Sequence, residues 1–340
     1  MPEKRKYIDS STAVNLYWLG HDGKSKNHLF SFQNLMFMAI MLIGMQGGQT
    51  PMAGVFVLYE PKFQCNVEKS LDNLKASDLP DGIDLKDIQN FRTTTENKNL
   101  QYNELIKSEH DERCDRSKLD QCQITIPIKL NENQKAFDIP CTEFDFPEDL
   151  ENPDSMVALF GLVCDKKSAV TFANSLMFVG YQTGSLLMGL YADNYGRKSC
   201  IVFSCLANFI MNLLATRVTS IFQYYIVKFI LGNVVMGVYL GTFVYMDEFL
   251  HDTWRVQGNA WYAGWFGIGY GLLTYVASIW LNWKSSHYCI ALTALAGFLV
   301  SLFFKESPVW LMSRGRNDEA EEIVKEFARL NGKRDWDLLG

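Results

Sequence analysis

The chain has 340 residues, with 38 acidic against 32 basic side chains for a formal net charge of −6, and 48% of it is apolar. That balance, without a basic block, excludes a nucleic-acid binder. A mean hydropathy near zero suits a soluble protein, but the average hides long uncharged runs that need lipid or a very large core around them.

In chain order, residues 1–31 form a polar leader in which Lys4, Arg5, Lys6, Lys24 and Lys26 precede the first apolar run. Basic residues flanking a span stay on the cytoplasmic side, so residues 1–31 are expected to be a cytoplasmic segment rather than a signal peptide. Residues 32–59 are the first expected transmembrane helix, in which Gln46 and Gln49 sit one turn apart among glycines. Amides in lipid need partners, which implies a helix interface or a cavity.

Residues 60–168 hold more than half of the chain's 38 acidic residues. Alternation places them outside, as an extracellular loop bearing Cys65, Cys114, Cys122, Cys141 and Cys164. An oxidising compartment favours disulfides. An odd number leaves one cysteine free or paired between chains, and connectivity is not readable. No Asn-x-Ser/Thr sequon occurs, so N-glycosylation is not expected. The segment is either a small disulfide-held domain or a disordered loop.

Residues 169–304 contain five further apolar blocks: 169–192, 200–216, 221–246, 258–280 and 287–304. Each is close to the ~20 residues that cross a bilayer as helix. Between the first two lies a charged turn with Gly189, Asp193, Gly196, Arg197 and Lys198. Gly189 is expected to admit a neighbouring helix, Asp193 to sit near a helix N-terminus, and Gly196 to allow a tight turn. Asp247 and Glu248, ending the 221–246 block on the same side, are the expected partners of the two bases.

Within that block Lys228 either snorkels to the outer surface or faces a protein-lined path. Tyr239 and Phe243 share one helix face, and Tyr262, Phe266 and Tyr270 recur at helical spacing in the next block. Each aromatic is either a packing side chain or part of a wall that binds organic ions. Residues 305–340 follow as a cytoplasmic segment that opens with Glu306-Ser307-Pro308 and continues into an amphipathic helix from Asp318 to Leu330. The histidines are scattered and no nucleophile–base pair or phosphate loop occurs, so an enzyme, a cofactor or a metal centre is not expected.

The turn Gly189-x-x-x-Asp193-x-x-Gly196-Arg197-Lys198 closely resembles the signature loop of the major facilitator superfamily. Leu162-Val-Cys164-Asp165 before the second span, Glu248-Phe249 after the fourth, Glu306-Ser307-Pro308-Val309-Trp310-Leu311 after the sixth and a large first loop extend the resemblance. Together they resemble the organic cation, anion and carnitine transporter family of solute carriers; sugar transporters share the signature loop and are the nearer alternative.

The resemblance implies an all-α polytopic membrane protein: a six-helix N-terminal bundle with a large extracellular loop, in the plasma membrane. It implies movement of small organic ions by alternating access, with Tyr239, Phe243 and Tyr262 on the substrate path. Asp193, Arg197 and Glu248 would then form a cytoplasmic lock. Val309 and Lys228 stand where the family usually has arginine. Such transporters have two bundles, so a missing C-terminal half or self-association is expected. A truncated, non-transporting protein with a binding or regulatory role is the other reading.

Overall fold

A computed structural model describes residues 32–61, 63–65, 70, 122–130, 133–142, 144–146, 155–250, 252–280 and 282–330. The expectations placed on residues 1–31, on Cys114 and on the Cys65 side chain lie outside the described residues. Two compact units emerge, 60–167 and the remainder.

The larger unit is helical. Its elements are α1 (Phe32–Val57), α3 (Ser168–Tyr195), α4 (Arg197–Ala215), α5 (Ile221–Phe249), α6 (Asp252–Ile279), α7 (Trp283–Ser301), α8 (Pro308–Ser313) and α9 (Asn317–Leu330). A long helix thus occupies each of the six apolar blocks. By length and composition two of them, α4 and α5, are apolar enough to cross a membrane. The others are diluted by polar residues such as Gln46, Gln49 and Thr50 of α1, all three of which are buried. Buried amides and hydroxyls lower a helix's hydropathy without exposing it to lipid.

Packing follows from residue size. α3 lies against α5 where Gly180 faces Gly232: a Cβ on either would stand 3.0 Å from the other's Cα. Only small residues let two backbones approach so closely. α1 packs on α5, α6 and α7, and α4 on α5 and α7, so α1 and α5 are the central elements. Met41, Ile43, Ile201, Val238 and Tyr262 fill the core between them. α9 has a strongly two-sided pattern, burying Ala320, Val324 and Phe327 while its charged face pairs Lys325 with Glu321 at 2.7 Å.

The smaller unit departs from an all-α reading. β2 (Gln123–Leu130) and β3 (Asn133–Pro140) pair antiparallel, in register from Gln123 opposite Pro140 to Leu130 opposite Asn133. β1 (Gln64–Cys65) pairs with β4 (Phe144–Asp145). The cause is in the sequence, where Ile124, Ile126, Ile128 and Leu130 alternate with Gln123, Thr125, Pro127 and Lys129. Cys122 is bonded to Cys164, with Cα atoms 5.7 Å apart, and Cys141 is disulfide-bonded as well. The short α2 (Met156–Phe160) is capped by Ser155, whose Oγ accepts from Val157 N at 3.1 Å.

Candidate functional site: a charged turn, an aromatic face and a buried amide chain

The turn between α3 and α4 is held by charge from four directions. Arg197, the first residue of α4, donates from Nη1 to Asp193 Oδ1 at 2.6 Å and from Nε to Glu248 Oε1 at 3.0 Å. The second pair is the more sheltered: the Arg197 and Glu248 side chains are 15% and 14% exposed, against 64% for Asp193. Of the two acids expected to answer the bases, Glu248 pairs. Asp247 contributes its backbone carbonyl, which accepts from Arg255 Nη2 at 3.4 Å. Lys198 enters through its backbone N–H, which donates to Glu306 Oε1 at 3.0 Å.

Glu306 therefore caps α4. Its carboxylate lies against the helix N-terminus, where free N–H groups and the helix dipole favour a negative charge. Gly196 makes that possible: it adopts φ 103°, ψ 156°, and a Cβ there would collide with Glu306 Oε2. The next two residues of the Glu-Ser-Pro sequence start α8. Ser307 Oγ accepts from Trp310 N at 3.3 Å and Pro308 takes the first helical position, where no N–H is needed.

Asp193 sits in the last turn of α3, not near a helix N-terminus as the sequence reading expects. A carboxylate at a helix C-terminus is unfavourable, and Arg197 offsets it. The Asp193 carbonyl accepts from Trp310 Nε1 at 2.8 Å and from Arg314 Nη2. Arg314 also stands 5.8 Å from the Trp310 ring centre. A cation thus reaches the turn from Arg314, although position 309 is valine. Gly189 does not act as expected: among the described residues, no atom outside its own helix's nearby backbone lies within 4 Å of where its Cβ would be. Farther along, Arg316 grips Glu319 at 2.7 and 2.5 Å, and these bonds hold the Glu319 carboxyl below its ordinary value.

The aromatic residues gather as their spacing suggests. Tyr239 lies 5.7 Å from Tyr262, 6.0 Å from Phe266 and 6.4 Å from Phe243, between ring centres. They differ in access. Tyr239, Phe243 and Phe266 are half-buried, whereas Tyr262 is 1% exposed. The Tyr262 hydroxyl is committed to Thr242 Oγ1 at 2.7 Å and to the Tyr239 carbonyl at 3.3 Å. Of the four rings, Tyr262 is the one enclosed by its neighbours.

Gln46 and Gln49 are both fully buried, and they anchor a polar chain that sequence reasoning missed. Asn208 Nδ2 donates to Gln46 Oε1 at 3.1 Å, and Asn212 Nδ2 donates to Asn208 Oδ1 at 2.8 Å. His287 Nδ1 meets Asn212 Oδ1 at 3.0 Å, and Thr293 Oγ1 donates to Gln49 Oε1 at 2.6 Å. α1, α4 and α7 are joined by these bonds. The signal available was Asn208 and Asn212 at i, i+4 within an apolar run. Lys228 is 1% exposed, so its amine does not snorkel to the surface.

Six long, largely uncharged helices tied by buried amides and a charged turn are an arrangement that suits a multi-pass helical membrane protein. The sugar (and other) transporter family model matches residues 96–337. The chain therefore belongs to that family, within the major facilitator superfamily, and members of solute carrier family 22 are among the proteins it is similar to. It is 22% identical to solute carrier family 22 member 16 of Xenopus laevis, over 92% of this chain and 53% of that protein. It is 25% identical to the organic cation transporter-like protein of Drosophila melanogaster, over 88% of this chain and 49% of that one. The chain thus spans about half the length of the curated relatives it matches. Among solved structures, that of the proton:xylose symporter XylE bound to 6-bromo-6-deoxy-D-glucose aligns with a TM-score of 0.44 at 21% identity, over 48% of this chain and 40% of that one.

Proposed function

We propose that this chain takes part in moving small organic ions across the plasma membrane by alternating access, forming one of the two walls between which the substrate passes. The observation that carries the reading is Arg197, held by Asp193 at the end of α3 and by Glu248 at the end of α5. With Glu306 at the N-terminus of α4, these bonds make a lock whose closure favours one conformation. In this reading the turn is cytoplasmic, the 60–167 unit is extracellular, and the second wall comes from another bundle.

The organic-ion reading is preferred to a sugar because of the half-buried face. Tyr239, Phe243 and Phe266 offer ring surfaces suited to flat or cationic organic groups. A sugar needs a dense set of hydrogen-bonding side chains instead. One of the named relatives is an organic cation transporter-like protein, which supports the same substrate class.

The test is uptake by cells expressing the native protein that carries this sequence, using a labelled quaternary ammonium ion, a labelled aromatic carboxylate and a labelled hexose. Saturable uptake of either ion above that of the hexose is expected. Saturable uptake of the hexose alone would replace the organic-ion reading with the sugar one.

A further inference from the structure

Beside the buried polar chain lie polar groups that find few or no hydrogen-bond partners among the described residues. Lys228 on α5 is 1% exposed, and its Nζ stands 5.5 Å from the centre of the Tyr224 ring and 3.9 Å from Met177 Sδ. Among the described residues no carboxylate forms an ion pair with it. Tyr224, one turn earlier on α5, is fully buried, and its hydroxyl has no partner. His287 on α7 is 1% exposed and its Nε2 has no partner either. The Tyr224 and His287 rings meet edge to face with centres 6.4 Å apart.

The polarity of these groups can be assigned. Asn212 gives its N–H to Asn208, so its Oδ1 accepts and His287 Nδ1 carries the proton. His287 Nε2 is then an acceptor without a hydrogen-bond donor among the described residues. The Lys228 ammonium and the Tyr224 hydroxyl are donors facing a low-dielectric interior. An unpaired buried cation is costly, and a neutral ligand or water does not cancel its charge. An organic cation would be repelled there.

We propose that Lys228 and Tyr224 form a binding site for a monoanionic group of carboxylate or halide size, buried where α5 meets α7. The group is either the carboxylate of a transported ion or a free chloride. The inference rests on the transport reading for what the bound anion does, while the binding itself is testable without transport.

The experiment is thermal unfolding of the native protein carrying this sequence, purified in detergent, in sodium isethionate, a bulky sulfonate without a carboxylate, at fixed ionic strength with chloride or acetate substituted in. The midpoint is expected to rise with the concentration of chloride, of acetate or of both. Chloride alone identifies a free-ion site, and acetate identifies a carboxylate site. Tyr224→Phe is expected to weaken the response about tenfold, the size of one charge-assisted hydrogen bond, and Lys228→Gln to abolish it. Tyr224→Phe removes an unsatisfied hydroxyl, so in isethionate it is expected to be at least as stable as the wild type; it decides the matter if Lys228→Gln fails to fold. No ion-specific rise in the wild type, or a rise unchanged in Tyr224→Phe, overturns the site. Protection by an anion without any saturable uptake would leave the site standing and remove the transport reading.

Discussion

Replacing Gly196 by alanine tests the cap on α4 at its most constrained point. Gly196 has φ 103° and ψ 156°, a region that side chains all but forbid. Holding alanine there costs about 1–3 kcal/mol. The added Cβ also overlaps Glu306, whose Oε1 accepts from Lys198 N at 3.0 Å and from Ser307 N at 3.1 Å. Losing one hydrogen bond to a carboxylate costs about 1.5–3 kcal/mol. The sum is about 2.5–6 kcal/mol if the carboxylate is displaced. The assay is detergent-to-dodecyl-sulfate unfolding of the purified protein, followed by circular dichroism. In a Glu306→Ala background the clash is gone, so Gly196→Ala should there cost only the backbone part, about 1–3 kcal/mol. A cost below about 1 kcal/mol in the wild-type background, or an equal cost in both, would refute the coupling of Gly196 to Glu306.

Other outcomes follow from the same geometry. Arg197→Ala strands the sheltered Glu248 carboxylate and should destabilise by about 2–4 kcal/mol, whereas Asp193→Ala, at an exposed pair, should cost under about 1 kcal/mol; the same unfolding assay measures both. Tyr262→Phe should lower stability by about 1 kcal/mol through its lost hydroxyl bonds yet leave uptake intact, whereas Tyr239→Ala and Phe243→Ala should raise the apparent KM for an aromatic substrate. The Cys122–Cys164 bond spans 42 residues, a loop whose closure contributes about 4 kcal/mol to the 60–167 unit. Proteolysis of Cys164→Ser should accordingly cut that unit faster than in the wild type.

Helices and turn were legible because their signals are local. Uncharged runs of lipid length and the charged turn can be read without knowing what they touch. Glu248 as partner of Arg197 was also within reach, since both end apolar blocks on one side. The rest depended on contacts far apart in sequence. Glu306 reads as part of a motif, but nothing at position 306 says that its carboxylate caps a helix starting at 197. Trp310 reads as one more aromatic until its N–H is seen on the Asp193 carbonyl. A glycine in a span looks the same in sequence whatever it touches: among the described residues no neighbouring helix meets Gly189, and Gly180 and Gly232 make the close approach instead. The hairpin of β2 and β3 was written in the alternation from Ile124 to Leu130, and the acidity of the surrounding segment obscured it.

The central claim is tested most directly by uptake of a labelled organic ion in cells expressing the native protein, with Arg197 and Glu248 changed singly and exchanged for one another. Saturable uptake by the wild type, its loss in Arg197→Glu and in Glu248→Arg, and its partial return in the exchanged pair are expected. Absence of saturable uptake from protein demonstrably at the cell surface would contradict the transporter reading, and undiminished uptake in both single variants would contradict the lock.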